Sequence, residues 1–322
     1  MKIVADKYVP MIAESLAGIA EVICMEPEAI TAEVVRDADA LVIRTRTTID
    51  EALLAGSKVQ FVVTATIGYD HIDTAYCDAH HIAWTACPGC NAQAVCDYIE
   101  EGLRVIGYGL RTIGVVGYGH IGSLVAKMAE QRGMKVLLND PPKGIGVPLE
   151  QIAREADIIT FHVPLTSAPT PYPTYHLCDA AFLQQCKPEA VIINASRGGV
   201  VDETALLASG RKCIIDCWEN EPNINLQLAQ SPNTLLASYH IAGYSLEGKL
   251  NASRMCLEAL AQHFGIKGLN NLKLAYGEAD RSNEVRLETR GDTSPGWLQR
   301  VSEQLKAHPE NFEQLRKQYK LR

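Results

Sequence analysis

The stretch Thr112-Ile-Gly-Val-Val-Gly117-Tyr-Gly119-His120-Ile121-Gly122 runs an apolar segment straight into a G-x-G-x-x-G. Alone, such a glycine triplet is a weak signal. Its surroundings strengthen it. Thr112–Val116 reads as a strand, Ile121–Gln131 as a helix, and Lys135–Asn139 as a second strand that ends in Asp140. This is the strand, turn, helix and strand order of a dinucleotide site. Gly117 permits the tight turn, Gly119 lets backbone approach a pyrophosphate, and Gly122 lets the helix lie close to the strand. The helix N-terminus attracts the phosphates. Asp140 lies 18 residues beyond Gly122. It is placed to accept hydrogen bonds from ribose hydroxyls and to repel a 2′-phosphate, so NAD is expected rather than NADP.

Short apolar runs continue on both sides of this unit. Upstream they fall at Lys2–Ala5, Ala20–Met25, Ala40–Ile43 and Val59–Thr64, with a helix expected over Val9–Leu16. Downstream they fall at Ile158–His162, Ala190–Asn194, Cys213–Asp216 and Thr234–Ala237. Continuously apolar strands separated by helices imply parallel sheets covered on both faces. Two such series imply an α/β protein of two doubly wound parallel-sheet lobes, joined through the helical stretch Asn91–Arg111. Ligands bind at the carboxyl ends of such strands. Arg44-Thr45-Arg46-Thr47 and Ala65-Thr66-Ile67-Gly68 stand at two of those ends, and Arg44 and Arg46 suit a phosphate dianion. A long helix is expected over Leu246–Phe264. Beyond it Leu272–Leu274 and Val285–Glu288 alternate like strands, and helices carry Trp297, Val301 and Leu305, then Phe312, Leu315 and Tyr319.

Composition narrows the class. The chain has 322 residues, 47% hydrophobic, with a net charge of −8. That excludes a disordered chain and argues against broad nucleic-acid binding, which needs positive charge against phosphates. No apolar run approaches the roughly 18 residues that a membrane helix needs. Asp6 and Lys7 interrupt the opening segment where an export signal is apolar, so a cytoplasmic protein with reduced cysteines is expected. Cys87-Pro-Gly-Cys90 lacks a second pair at metal-site spacing and reads as a loop, so no metal is expected.

Three polar residues follow strands of the second series: Arg197, Glu221 and His240. An arginine grips a carboxylate at two points. A histidine backed by a carboxylate is a tuned proton acceptor. Beside a nicotinamide, this set suits oxidation of a hydroxy acid.

Asn194-Ala-Ser-Arg197-Gly-Gly-Val-Val-Asp202, Asp216-Cys-Trp-Glu-Asn-Glu221-Pro222 and His240-Ile-Ala-Gly243 resemble the D-isomer-specific 2-hydroxyacid dehydrogenases. Finer motifs narrow the resemblance to the branch that oxidises 4-phospho-D-erythronate to 2-oxo-3-hydroxy-4-phosphobutanoate with NAD, in the making of pyridoxal 5′-phosphate. They are Thr66-Ile-Gly-Tyr-Asp-His71, Cys87-Pro-Gly-Cys-Asn-Ala92 with Asp97-Tyr98, Asp140-Pro-Pro142, and His240-Ile-Ala-Gly-Tyr-Ser-Leu-Glu-Gly-Lys249.

The resemblance covers nearly the whole chain. It implies a flavodoxin-like substrate domain over 1–97, completed by helix 245–265, and a Rossmann NAD domain over 98–244. A small α+β dimerisation domain over 266–322, shortened at its end, implies a homodimer. The resemblance also implies that Arg197, Glu221 and His240 are catalytic. Gly117, Gly119, His120, Ile121, Gly122, Asp140, Val163, Asp216 and Gly243 are expected at NAD, and Thr45, Thr66 and Tyr244 at substrate. This sequence departs from the pattern in a shorter Tyr98–Gly114 stretch bearing Glu100, Glu101 and Arg104. It also has Tyr239 where proline is usual. The rival expectations are a glyoxylate or hydroxypyruvate reductase, a phosphoglycerate dehydrogenase, and a non-catalytic NAD-binding regulator.

Overall fold

The computed structural model describes residues 1–109, 111–267 and 291–321. They form two compact units. The first holds residues 1–91 and the segment from Ser245 to Lys267, the second residues 92–244 and 291–321.

The first unit is built on a five-stranded parallel sheet of β1 (Lys2–Asp6), β2 (Glu21–Met25), β3 (Ala40–Ile43), β4 (Phe61–Thr64) and β5 (Ala83–Thr85). Its order is β2-β1-β3-β4-β5, the flavodoxin-like arrangement. β3 is buried at every position, as a strand covered on both faces requires. One face packs on the helix Leu246–Phe264 through Leu257, Leu260 and Ala261. That helix is capped by the Ser245 hydroxyl, which accepts from the Gly248 N–H at 3.0 Å. The helix expected over Val9–Leu16 is only Ile12–Ser15. Pro10 has no N–H to give a helix, and Met11 sits at φ 65°, so helical geometry starts only after it.

The second unit has seven strands, β6 (Thr112–Val116), β7 (Lys135–Asp140), β8 (Ile145–Gly146), β9 (Ile158–Phe161), β10 (Val191–Asn194), β11 (Cys213–Ile215) and β12 (Thr234–Ala237). Their order is β12-β11-β10-β9-β6-β7-β8. Counted from β6 this is the Rossmann order with one further strand. All pairs are parallel except β7 with β8, a two-residue edge that the sequence pattern is too short to signal.

The described tail belongs to the second unit. Helix Trp297–Ala307 buries Trp297, Leu298, Val301 and Leu305 in the same core as the sheet. The Ala237 N–H donates to Ser302 Oγ at 2.9 Å, and Lys306 Nζ donates to the Thr234 carbonyl. Glu101, a charge in an otherwise buried helix face, accepts from the Gly296 N–H at 3.1 Å and from Arg104 at 3.1 Å. The strands expected at Leu272–Leu274 and Val285–Glu288 lie outside the described residues.

Candidate active site

The dinucleotide turn is shaped by what a side chain would strike. Gly117 has φ 94°, and a Cβ there would lie 2.4 Å from the His162 carbonyl and 2.9 Å from Val163 Cγ1. A Cβ on Gly122 would lie 1.9 Å from the Gly117 carbonyl. Around Gly119, by contrast, no described heavy atom comes within 4 Å of a Cβ position. The turn is therefore closed toward the protein at Gly117 and Gly122 and open at Gly119. Helix His120–Gln131 begins there with no side-chain cap, so its first amides are available to an anion. Ile121 is half-buried behind the exposed His120. Asp140 ends β7, and its Oδ2 accepts from the Tyr118 N–H at 2.8 Å, with Lys143 Nζ 3.8 Å away. These residues fit the pyrophosphate and ribose of NAD. His162, next to Val163, is driven by burial down to about 3 and stays neutral, its Nε2 3.0 Å from Thr160 Oγ1.

Beyond β11 and β12 the chain builds an acid–base pair. Asp216 is fully buried. Its carboxylate accepts from Ser238 Oγ at 2.6 Å, the Ile241 N–H at 2.8 Å and the Ala242 N–H at 2.9 Å. Its carbonyl accepts from the His240 N–H at 2.9 Å. Trp218 Nε1 donates to the Ser238 carbonyl, and the Tyr98 hydroxyl lies 2.7 Å from Ser238 Oγ. The loop so clamped holds His240 at φ 59°, a left-handed conformation that a non-glycine residue adopts only when its surroundings impose it.

His240 Nδ1 then lies 2.8 Å from Glu221 Oε2, while Glu221 Oε1 accepts from the Trp218 N–H at 2.8 Å. Burial opposes ionisation of Glu221. The His240 hydrogen bond, the Trp218 amide and Arg316 outweigh it and hold the carboxyl below its ordinary value. An ionised Glu221 fixes the proton on Nδ1 and leaves Nε2 to accept one. Cys217 lies within 4.8 Å of both. Burial pushes its thiol well above the ordinary value, so it is present as the thiol.

Arg197 follows β10, its Nη1 donating to the Ser196 carbonyl at 2.8 Å. Gly243 and Tyr244 close the His240 loop. A residue that sequence reasoning missed completes this cluster. Arg316, on helix Phe312–Gln318, places Nη1 3.9 Å from Glu221 Oε2 and donates from Nε to the Tyr244 hydroxyl at 3.1 Å. Its guanidinium lies 5.6 Å from the Tyr244 ring centre, and Tyr319 packs against Tyr239 and Tyr244. Tyr239 thus fills the usual proline position as an aromatic anchor for the tail. No local motif marks Arg316, because it comes from far along the chain.

In the first unit Thr45 is exposed just after β3. Arg44 beside it is held by Asp6 through Nε at 2.8 Å and Nη2 at 3.2 Å. Thr66 follows β4. Its hydroxyl donates to the Gly68 carbonyl at 2.9 Å and lies 2.6 Å from Thr64 Oγ1, which is 3.0 Å from His71 Nε2.

The Rossmann order, the glycine turn and the Glu221–His240 pair define an NAD-dependent dehydrogenase acting on a CH–OH group. Residues 100–242 match the D-isomer specific 2-hydroxyacid dehydrogenase, NAD binding domain. The fold is that of 3-phosphoglycerate dehydrogenase from Entamoeba histolytica with NAD+ (TM-score 0.70, 24% identity, 84% of this chain and 97% of that one). It is also that of D-lactate dehydrogenase from Aquifex aeolicus with NAD and lactic acid (TM-score 0.66, 22% identity, 82% and 96%). Curated relatives reach further. The chain is 44% identical over 342 residues to the erythronate-4-phosphate dehydrogenase of Bacteroides fragilis, covering 100% of this chain and 97% of the relative. To that of Escherichia coli O157:H7 it is 37% identical over 352 residues, covering 99% and 91%. The chain belongs to the erythronate-4-phosphate dehydrogenases, within the D-isomer-specific 2-hydroxyacid dehydrogenases. Among the described residues no helix is long and apolar enough to cross a membrane.

Proposed function

We propose that this chain oxidises the C2 hydroxyl of 4-phospho-D-erythronate to the 2-oxo acid with NAD, as a step toward pyridoxal 5′-phosphate. The observation that carries the reading is the 2.8 Å contact of His240 Nδ1 with Glu221, on a loop fixed by Asp216. His240 Nε2 takes the C2 hydroxyl proton, and Glu221 stabilises the imidazolium that results. Arg197 binds the C1 carboxylate at two points and sets C2 against the base. NAD, when bound, supplies the hydride acceptor. Gly117, Gly119, His120, Ile121 and Gly122 receive its pyrophosphate. Asp140 takes its ribose, and Val163, Asp216 and Gly243 border it. Thr45, Thr66 and Tyr244 contact the substrate. The protein works in the cytoplasm as a homodimer, with 1–97 and the helix 245–265 as substrate domain, 98–244 as NAD domain and 266–322 as dimerisation domain.

The test is NADH formation by purified protein with 4-phospho-D-erythronate, set beside 3-phosphoglycerate and glycerate. An oxo-acid acceptor is added to reoxidise bound cofactor. Preference for the phosphoerythronate supports the reading. Turnover of only another hydroxy acid keeps the chemistry and discards the substrate. Light scattering of the same sample reads the dimer.

A further inference from the structure

The first unit holds a partly buried lysine that makes no ion pair among the described residues. Lys249 stands on the first turn of helix Leu246–Phe264, near Arg44 and Asp6. Around it the charges are otherwise matched. Lys7 pairs with Glu26 at 2.6 Å, and the buried Asp6 pairs with Arg44. The Lys249 ammonium makes no ion pair or hydrogen bond with the described residues. Burial, then Arg44, press its pKa below the ordinary lysine value, and Asp6 counters them only in part. Holding an ammonium half-buried beside a guanidinium is unfavourable unless an anion joins them.

Two further groups point the same way. Asp6 engages Nε and Nη2 of Arg44, which leaves Nη1 without a hydrogen-bond partner among the described residues. Thr47 closes the same turn, its N–H donating to the Arg44 carbonyl at 3.1 Å. The residue is 4% exposed, and its hydroxyl has no partner among the described residues. A buried hydroxyl left unpaired costs about 1–3 kcal/mol, so the Thr47 hydroxyl calls for a polar partner.

We propose that Lys249, Arg44 and the Thr47 hydroxyl form an anion site that takes a phosphate monoester, the phosphate end of the substrate. The assignment of that phosphate to 4-phospho-D-erythronate rests on the function proposed above; the anion site itself does not. Two cations against one carboxylate leave a local excess of one positive charge, which a phosphate dianion more than neutralises. Arg44 is preset by Asp6 and Lys249 supplies the compact point charge.

The full chain is compared with Lys249→Gln and Lys249→Arg in two measurements. In the first, thermal unfolding is followed with inorganic phosphate against chloride at matched ionic strength. Phosphate raises the melting temperature of the original chain and of Lys249→Arg, and the rise is lost in Lys249→Gln. In the second, kcat/KM is measured for 4-phospho-D-erythronate and for unphosphorylated D-erythronate. The ratio of the two falls about 10- to 100-fold in Lys249→Gln, the range for a hydrogen bond between charged groups, and Lys249→Arg restores much of it. Phosphate stabilisation that survives in Lys249→Gln, or an unchanged ratio, overturns the site. If the original chain does not oxidise the phosphorylated acid, the substrate reading fails, and the phosphate titration alone decides the anion site.

Discussion

His240 carries two costs that the proposed role as base accounts for, a left-handed backbone and a half-buried imidazole tied to a carboxylate. Replacing it with alanine removes the base while leaving the glycine turn untouched. His240→Ala is therefore expected to lower turnover by about 10²–10⁴ with NAD affinity retained. Steady-state rates and a fluorescence titration with NADH check this, and a large loss of cofactor binding sinks the role. Arg316 acts on the same pair by charge. With its guanidinium 3.9 Å from Glu221, Arg316 is one of the charges that hold the Glu221 carboxyl below its ordinary value, and Arg316→Gln removes it. The acid limb of the kcat/KM profile is expected to move to higher pH. A profile that stays in place removes Arg316 from the chemistry. These two residues also show what sequence can disclose. Arg197, Glu221 and His240 are legible because each directly follows an apolar strand. Arg316 is not, because only tertiary packing brings it to Glu221.

At the scale of elements, strands buried on both faces are legible in the sequence, while short helices and the short edge strands Ala83–Thr85 and Ile145–Gly146 are not. Four-residue apolar runs such as Ala40–Ile43 stand out because both faces are buried, whereas four-residue helices such as Glu51–Leu54 and Leu226–Ala229 carry too few turns to show a period. One short helix, Glu203–Ser209, holds an unexpected titrating group. Glu203 Oε1 accepts from the Glu219 N–H at 2.6 Å, beneath the segment that carries Glu221. Burial pushes its carboxyl up to about 8. The Glu219 amide opposes that rise, and the charges of Glu219, Glu221 and Asp202 add to it. The folded protein then keeps a proton that the unfolded chain loses near its ordinary carboxylate range. Stability is highest below that range and falls as pH rises toward 8, by about 1.4 kcal/mol per pH unit at most. Glu203→Gln, which stays neutral, is expected to flatten this fall. Melting temperatures from pH 5 to 9 decide it: an identical slope in the variant assigns the loss of stability to other groups. At the end of β7, Asp140→Ala is expected to narrow the preference for NAD over NADP, and an unchanged ratio of the two kcat/KM values excludes Asp140 from the ribose.

For the whole molecule, the question is whether the tail is an appendage or part of a core. The change of composition after Gly265 suggests a separate piece, and the alternating segments that prompted that reading lie outside the described residues. The tail residues that are described pack inward. Trp297, Leu298, Val301, Leu305 and Phe312 are buried in one cluster with the seven-stranded sheet, and Trp297 meets Tyr98 edge-on. Each such side chain contributes roughly 1.5–3 kcal/mol on burial, and five of them together rival the whole stability of a typical domain, about 5–15 kcal/mol. A chain ended after Thr293 is therefore expected to lose the cooperative unfolding transition of its second unit, and with it NAD binding, rather than merely to dissociate. Leu305→Ala, a milder lesion in the same contact, is expected to destabilise by about 2–5 kcal/mol with kcat little changed. If the shortened chain instead remains folded, binds NAD and unfolds cooperatively in urea, the tail is dispensable to the core. Its bearing on the active site would then be the side chains it delivers, Arg316 to Glu221 and Tyr244 and Tyr319 to Tyr239 and Tyr244.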